Sequence, residues 1–327
     1  MHKFWSFVFA MVIVLGVFLF VLAAITPGWW LPPRVSTVAD EVDGLFYLIL
    51  WITTVTFVLT EAMLVYNIYK FSTPAAGSKA PYVHGNHRLE VIWTIVPAGI
   101  LILIAVLQIS SWERVKYLKY FPKPDSDTCQ MVVVARQWEW RVRYPSPAEI
   151  RRWDRDPKAA AQWAKLSGYP FEDMPQYDDV HAVNEIHCWA PNDRDKRAPV
   201  LVHLKTRDVL HSFFLPTLRI KQDAVPGKVI PVWFELTDYN IERDPRDPKG
   251  KRWVYRTEEG EGSKPYEWDL ACAEFCGTRH SMMRGHLFVH RNRNDFLAWL
   301  EHQQEEQNKG KTNQTAAAPA PATAPAK

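Results

Sequence analysis

The 327 residues suffice for two domains, and their composition is that of an ordinary globular protein except for 15 tryptophans. A net charge of +3 at pH 7 is too small to argue for nucleic acid as a partner. The apolar residues, however, are unevenly distributed and concentrate towards the N-terminus.

From Phe4 to Pro33 no residue is charged, and Leu45–Tyr69 and Val91–Trp112 are two further apolar runs. Each is close to the ~20 residues that a membrane-spanning helix needs. The first segment, residues 1–33, reads as a signal peptide or an additional transmembrane helix. His2-Lys3 ahead of an apolar stretch and the small pair Ala23-Ala24 resemble a secretory signal, but the stretch exceeds the ~7–15 residues of a signal core. A retained span is the preferred reading, followed by a transmembrane helical hairpin over 34–115. No Cys follows the first run that would take a lipid anchor there.

The loop between the second and third runs carries Lys70, Lys79 and Arg88 with no acid before Glu90. The preceding loop sets Arg34 against Asp40, Glu41 and Asp43. Counting bases alone puts residues 70–89 in the cytoplasm and the large C-terminal domain outside. The expectation is an integral protein of the bacterial inner membrane, in contact with lipid, its outer domain periplasmic. Trp29, Trp30 and Trp112 then fall at the outer interface. Glu61 is read as hydrated or paired near the cytoplasmic end of the second run, although intramembrane acids are often functional. Pro97 is tolerated where neighbouring helices satisfy the carbonyl it frees.

Beyond residue 115 the pattern changes. Met131–Ala135, Pro199–Leu204, Val229–Leu236 and His286–His290 are short runs rich in Val, Phe and Trp, with turn residues between them. They predict an antiparallel β-sandwich, so the chain as a whole is expected to be a membrane-anchored all-β protein. Asn294 as a capping residue and apolar positions at helical spacing predict a helix over 294–307. The Ala- and Pro-rich tail, 308–327, has nothing to bury and is expected to be disordered.

The chemistry concentrates in Cys272-Ala-Glu-Phe-Cys276-Gly-Thr-Arg-His280-Ser-Met-Met283. Two thiolates, an imidazole and a thioether within one short segment are the soft ligands that select copper. A mononuclear blue-copper site needs a single Cys, whereas two at i and i+4 let both sulfurs face one point and bridge two ions. A second histidine is then required, and His211 is the best candidate. Structural zinc is the plainer alternative, but it usually takes two knuckles of paired ligands, and Met283 has no role at zinc. A Cys272–Cys276 disulfide suits an oxidising compartment yet leaves the His and Met spacing unexplained. Cys129 and Cys188 stand alone and read as buried small hydrophobes, or a disulfide, rather than ligands.

With His211 added, Cys-x-Glu-x-Cys-x3-His-x2-Met, preceded by His-Ser-Phe-x-x-Pro and Lys221-Gln-Asp223-Ala-Val-Pro-Gly227, resembles subunit II of haem–copper cytochrome c oxidase at its dinuclear copper A centre. Arg136-Gln-Trp138-Glu-Trp140 is similar to that family's Gln-Trp-x-Trp segment. Glu90-Val-Ile-Trp93-Thr-Ile-Val-Pro97 is similar to the start of its last span. The resemblance covers roughly residues 38 to 305. It implies a cupredoxin-like domain over 116–307, interrupted by insertions at about 145–196 and 240–265.

By position, the resemblance makes Cys272 and Cys276 the bridges between two coppers. His211 and Met283 would complete one copper, and His280 with the carbonyl of Glu274 the other. The Glu274 side chain would point to a magnesium ion at the boundary with subunit I. Trp138 would be where electrons arrive, against the alternative of a structural aromatic pair with Trp140 on one strand face. Glu90 would open a proton path, a reading compatible with simple stabilisation by the helix dipole. The implied function is acceptance of electrons from cytochrome c or a similar soluble donor and their delivery to haem in subunit I, with subunit III as a further partner. Rivals are the copper A subunit of a nitric oxide reductase and a membrane-anchored copper-binding protein. One departure concerns the donor: Arg141, Arg143, Arg151 and Arg152 follow the aromatic block, where the family surface is acidic.

Overall fold

The computed structural model describes residues 2–26, 29–71, 82, 84–167, 178–191, 198–257 and 265–316. Lys79 and parts of both expected insertions lie outside the described residues. The chain divides into two compact units, residues 1–33 with 40–114, and residues 34–39 with 115–327.

The first unit consists of α1 (His2–Ile25), α2 (Ala39–Phe71) and α3 (His87–Lys116). All three are long and apolar enough to cross a membrane. At 1.5 Å per residue the 33 residues of α2 run about 50 Å, so the helix outlasts the ~30 Å hydrocarbon layer. Apolar side chains such as Phe18, Trp51, Leu59, Ile95 and Leu101 face outwards with no protein over them. A helix that is apolar all round and not covered by protein belongs in lipid. There every backbone and hydroxyl group needs an internal partner. The hydroxyls of Thr54, Thr56 and Thr60 accordingly donate to carbonyls four residues back, at 2.7, 2.8 and 2.9 Å. Towards their outer ends, Glu41 of α2 accepts from Ser111 of α3 at 3.0 Å and pairs with Arg114. Asn86 starts α3 by accepting from the amides of Arg88 and Leu89.

The second unit opens with β1 (Cys129–Arg136), β2 (Glu139–Tyr144), α4 (Pro147–Trp153), α5 (Pro157–Ser167), β3 (Val180–Val183) and β4 (Glu185–Trp189). It continues with β5 (Pro199–Thr206), β6 (His211–Leu215), β7 (Ile220–Ala224), β8 (Ile230–Glu235), β9 (Ile241–Arg243) and β10 (Trp253–Tyr255). β11 (Trp268–Cys272), β12 (Arg284–His290) and α6 (Arg293–Ala316) complete it. One sheet has the order β3-β2-β1-β5-β8; the other runs β10-β9-β12-β11-β6-β7, with β4 also paired to β12. The expected sandwich is present, but its sheets are mixed. β1 pairs with β5, and β12 with β4, in parallel. Parallel pairing needs a long crossover, and the segment between β2 and β5 supplies one.

Trp140, Val142 and Tyr144 alternate along β2 and point inwards, Trp140 meeting Phe213 of the other sheet edge-on at 5.7 Å. By the same alternation Arg141 and Arg143 face out. The 145–196 segment is therefore more than a surface loop: it contributes β3 and β4 to the two sheets, and its helices cover that outer face. Ser146 caps α4 by accepting from the Glu149 amide at 3.2 Å. Trp163 of α5 lies against Trp153, His203 and the Arg143 guanidinium. Arg143 is buried and paired with the equally buried Asp179 at 2.6 Å. Burial, reinforced by the charges of Lys205 and Arg143, holds His203 down to about 4.

Residues 34–39, expected with the helical hairpin, belong to the β unit. Val35 exchanges backbone hydrogen bonds with Thr217 and Thr237, and the Ser36 hydroxyl donates to Leu218 O at 2.7 Å. α6 buries Phe296, Trp299 and Leu300, and Trp299 stacks on His187 at 3.7 Å. Its cap is Asn292, accepting from the Asp295 amide at 2.9 Å, and not Asn294. The helix continues to Ala316, through the start of the tail expected to be disordered. Lys, Gln and Glu are good helix formers, and the first proline of the tail comes only at Pro319; residues 317–327 lie outside the described part. Cys129 and Cys188 are buried free thiols, both pushed well up by burial and correspondingly inert.

Candidate metal centre

Three loops of the β unit meet at one place: the β1–β2 turn with Gln137 and Trp138, the β5–β6 loop ending at His211, and the β11–β12 loop from Ala273 to Met283. Strand pairing fixes their approach. β6 lies beside β11, so His211 and Cys272 begin and end neighbouring strands. The Ala273 amide donates to Ser212 O at 3.0 Å, and the Cys272 amide to Met283 O at 3.2 Å. The loop is thereby folded back on itself, and residues 272 and 283 come together.

The expected ligands converge. The Sγ atoms of Cys272 and Cys276 are 3.8 Å apart, far beyond the ~2.05 Å of a disulfide. His211 Nδ1 is 3.8 Å from Cys272 Sγ, and His280 Nδ1 is 3.5 Å from Cys276 Sγ. Met283 Sδ lies 3.9 Å from Cys276 Sγ, and the carbonyl oxygen of Glu274 lies 3.3 Å from Cys272 Sγ. His211 and Met283 are fully buried. A pair of free thiols is thus ringed by two imidazoles, a thioether and a carbonyl. This donor set fits two soft metal ions, and the buried thioether is one that zinc would not use.

Electrostatics prepare the pair for a cation. Burial opposes ionisation of Cys272, yet hydrogen bonds with His211 and with the backbone at Ser212 and Glu274 outweigh it and lower the thiol from its usual value. Burial, and then the Cys272 thiolate itself, push Cys276 up. Burial works against the His211 imidazolium, but Cys272 and Asp208 together raise it.

Three residues that sequence reading left without a role support the ligands. Asp208 Oδ1 accepts from His211 Nε2 at 2.8 Å and from the Val209 amide at 2.7 Å, while its Oδ2 accepts from the Gln137 amide at 2.7 Å. A carboxylate behind a histidine fixes the ring's orientation and tautomer. Gln137 Nε2 donates to Cys276 O at 2.8 Å, and Trp138 Nε1 to the same oxygen at 3.2 Å. Gly277 permits that approach. Its φ is +119°, and a Cβ there would meet Gln137 Nε2 at 3.1 Å and the Trp138 ring at 3.2 Å. A glycine directly after a ligand cysteine was the available signal for this.

Trp138 is half-buried and sits in the turn before β2, so strand alternation does not pair it with Trp140. Trp140 is fully buried, its ring 6.3 Å from that of His211. Glu90 is in the first turn of α3, its Oε2 3.6 Å from His87 Nδ1, and belongs to the other unit. The Glu274 side chain is exposed. The expected basic run is not a free patch: besides Arg143 with Asp179, Arg151 pairs with Glu301 and Arg152 with Glu149.

Three helices long and apolar enough to cross a membrane, a β-sandwich and a thiol–imidazole–thioether pocket at one loop cluster define a membrane-anchored metalloprotein of the electron-transfer class. Residues 24–110 match the family described as Cytochrome C oxidase subunit II, transmembrane domain, and residues 194–241 match its periplasmic domain. The alternative cytochrome c oxidase subunit 2 of Bradyrhizobium diazoefficiens is 27% identical over 279 residues, covering 85% of each chain. The cytochrome c oxidase subunit 2 of Synechocystis is 25% identical over 274 residues, covering 80% of this chain and 72% of the relative. The crystal structure of the periplasmic domain of subunit II of cytochrome oxidase from Bradyrhizobium japonicum aligns over 57% of this chain and 97% of that one, at 17% identity and a TM-score of 0.35. The chain is similar to the cytochrome c oxidase subunit II family in both its transmembrane and its periplasmic parts. It is the subunit at which electrons reach a terminal oxidase, a membrane protein with a periplasmic copper A domain.

Proposed function

We propose that Cys272 and Cys276 bridge a dinuclear copper A centre, with His211 and Met283 completing one copper and His280 and the Glu274 carbonyl the other. The observation that carries the reading is the pair of free thiols 3.8 Å apart within reach of both imidazoles and the thioether. When bound, two coppers sharing thiolate bridges supply a one-electron couple that spreads its charge over both ions. The protein's part is rigidity. His211 is held by Asp208, the Cys276 carbonyl by Gln137 and Trp138, and the whole loop by backbone bonds to β6, so little rearranges when an electron arrives.

Electrons come from cytochrome c or a similar soluble donor. Trp138 is the surface group through which they pass, being in direct hydrogen-bond contact with the residue that carries a bridging thiolate. Subunit I receives them on its haem, subunit III completes the assembly, and the exposed Glu274 carboxylate holds magnesium at the boundary with subunit I. Glu90 opens the proton path from the cytoplasmic side. Residues 70–89 face the cytoplasm, α1 is retained as a span of the bacterial inner membrane, and the β unit is periplasmic. The relatives are named as oxidase subunits, which leaves the nitric oxide reductase reading without support of its own.

Rapid mixing of the purified complex with a reduced donor tests this. Copper should be reduced before haem, and Cys276→Ser should abolish the copper phase while leaving the haem spectra intact. Haem reduction at the normal rate in that variant would overturn the proposal.

A further inference from the structure

We infer that the face around Trp138 docks an electron-donor protein whose own contact surface is acidic; this rests on the proposed role of the copper loops as the electron-accepting site. The observation is the charge left facing out on the three loops. Glu139 is one carboxylate shared by two guanidiniums, Arg136 and Arg141, each at 2.6 Å. Those hydrogen bonds, chiefly that of Arg141, hold it below the usual carboxylate range. Asp208 is partly exposed, but its oxygens are engaged by His211 and two amides. Arg207 and Arg279 are exposed and have no carboxylate partner among the described residues. The Arg207 amide donates to Ala135 O at 3.0 Å, which ties the start of the β5–β6 loop to the end of β1 that leads into Trp138, and Arg279 is two residues from Gly277, which lies against the Trp138 ring. The remaining exposed acid on these loops, Glu274, is the one proposed above to hold magnesium against subunit I, so it is not counted in the donor face.

The same loops expose apolar side chains: Phe275 is 78% and Met282 72% accessible, and Val209 and Leu210 are also exposed. Large apolar groups clustered inside a charged rim mark a contact surface. Its rim is basic, so long-range attraction favours an acidic partner and opposes a basic one. The step itself is simple: one electron leaves the donor's redox centre and the protein's copper centre gains it, with no bond made or broken.

The test uses the purified oxidase complex and two soluble cytochromes of matched potential, one acidic and one basic. Second-order copper reduction and donor Kd are measured from about 10 mM to about 1 M salt, over which the screening length falls from ~30 to ~3 Å. The acidic donor should be faster and bind more tightly at low salt, losing roughly tenfold or more as salt rises. The double substitution Arg207→Glu with Arg279→Glu should slow the acidic donor by a similar factor, weaken its binding and speed the basic one. A faster basic donor, or rates and Kd values for both that ignore salt and charge reversal, would overturn the inference. A small photogenerated reductant separates the two levels of the argument. Normal copper reduction by it, alongside reversed charge dependence, refutes the docking surface alone. No reducible copper in the native complex refutes the site.

Discussion

Asp208→Asn isolates the support of His211 without touching a proposed copper ligand. The carboxylate accepts from His211 Nε2 and the Val209 amide with one oxygen and from the Gln137 amide with the other. An asparagine keeps a single acceptor. If its oxygen faces His211, the amide nitrogen confronts the Gln137 N–H; in the flipped orientation, His211 and Val209 lose their acceptor. Either way a donor goes unmet, at a cost of about 1–3 kcal/mol. The loss of charge acts on the imidazole directly. His211 becomes less basic and less well oriented, and losses of this kind cost about 10–100-fold in metal affinity, or roughly 1.4–2.8 kcal/mol. A poorer donor to the oxidised state should also raise the copper potential. Copper competition titration and a spectroelectrochemical redox titration of the purified complex measure both quantities. Unchanged affinity and potential in Asp208→Asn would refute the claim that this carboxylate tunes the site.

Other outcomes follow from the same geometry. Gly277→Ala places a methyl group against Gln137 and Trp138 at a backbone angle that L residues avoid. It should destabilise the β unit by about 1–3 kcal/mol and slow electron arrival, and a wild-type urea midpoint would contradict this. Trp138→Phe removes the hydrogen bond to Cys276 O; donor-to-copper transfer should fall by orders of magnitude with copper content unchanged, whereas lost copper at a normal rate per copper would make Trp138 a packing residue. His203 is held at about 4 against an ordinary 6.5, so the unfolded chain takes up this proton first. The stability it contributes is complete above about pH 6.5 and is lost down to about pH 4, some 3 kcal/mol in all. His203→Asn should flatten that acid slope, and an unchanged slope in chemical denaturation would contradict the assignment.

The metal cluster was legible because its cysteines, His280 and Met283 lie within one short segment, whose spacing survives folding unchanged. His211 is distant in sequence and opens the His-Ser-Phe-x-x-Pro block; the structure brings it to Cys272 by pairing β6 with β11. Asp208 lies just ahead of that block, yet nothing in a sequence says that a carboxylate three residues before a histidine will turn onto it. The three apolar runs were equally plain, since lipid imposes a length and an absence of charge. Strand direction was not. β1 with β5 and β12 with β4 pair in parallel, and β3, β4, β9 and β10 fall inside the segments read as insertions. Such short strands carry little hydrophobic pattern of their own and are stabilised by the sheets they join. The α6 cap is Asn292, two residues before the Asn294 expected, and the two are like residues. Local propensity does not separate them, and the docking of Phe296 and Trp299 against β4 and β12 does.

The central claim is that two coppers share one electron across Cys272 and Cys276. Metal analysis of the purified complex combined with electron paramagnetic resonance of its oxidised form tests it most directly. The account requires two coppers in this subunit and a hyperfine pattern from one electron spread over two equivalent copper nuclei, absent in Cys276→Ser. A single zinc, or one copper with the signal of an isolated ion, would contradict it.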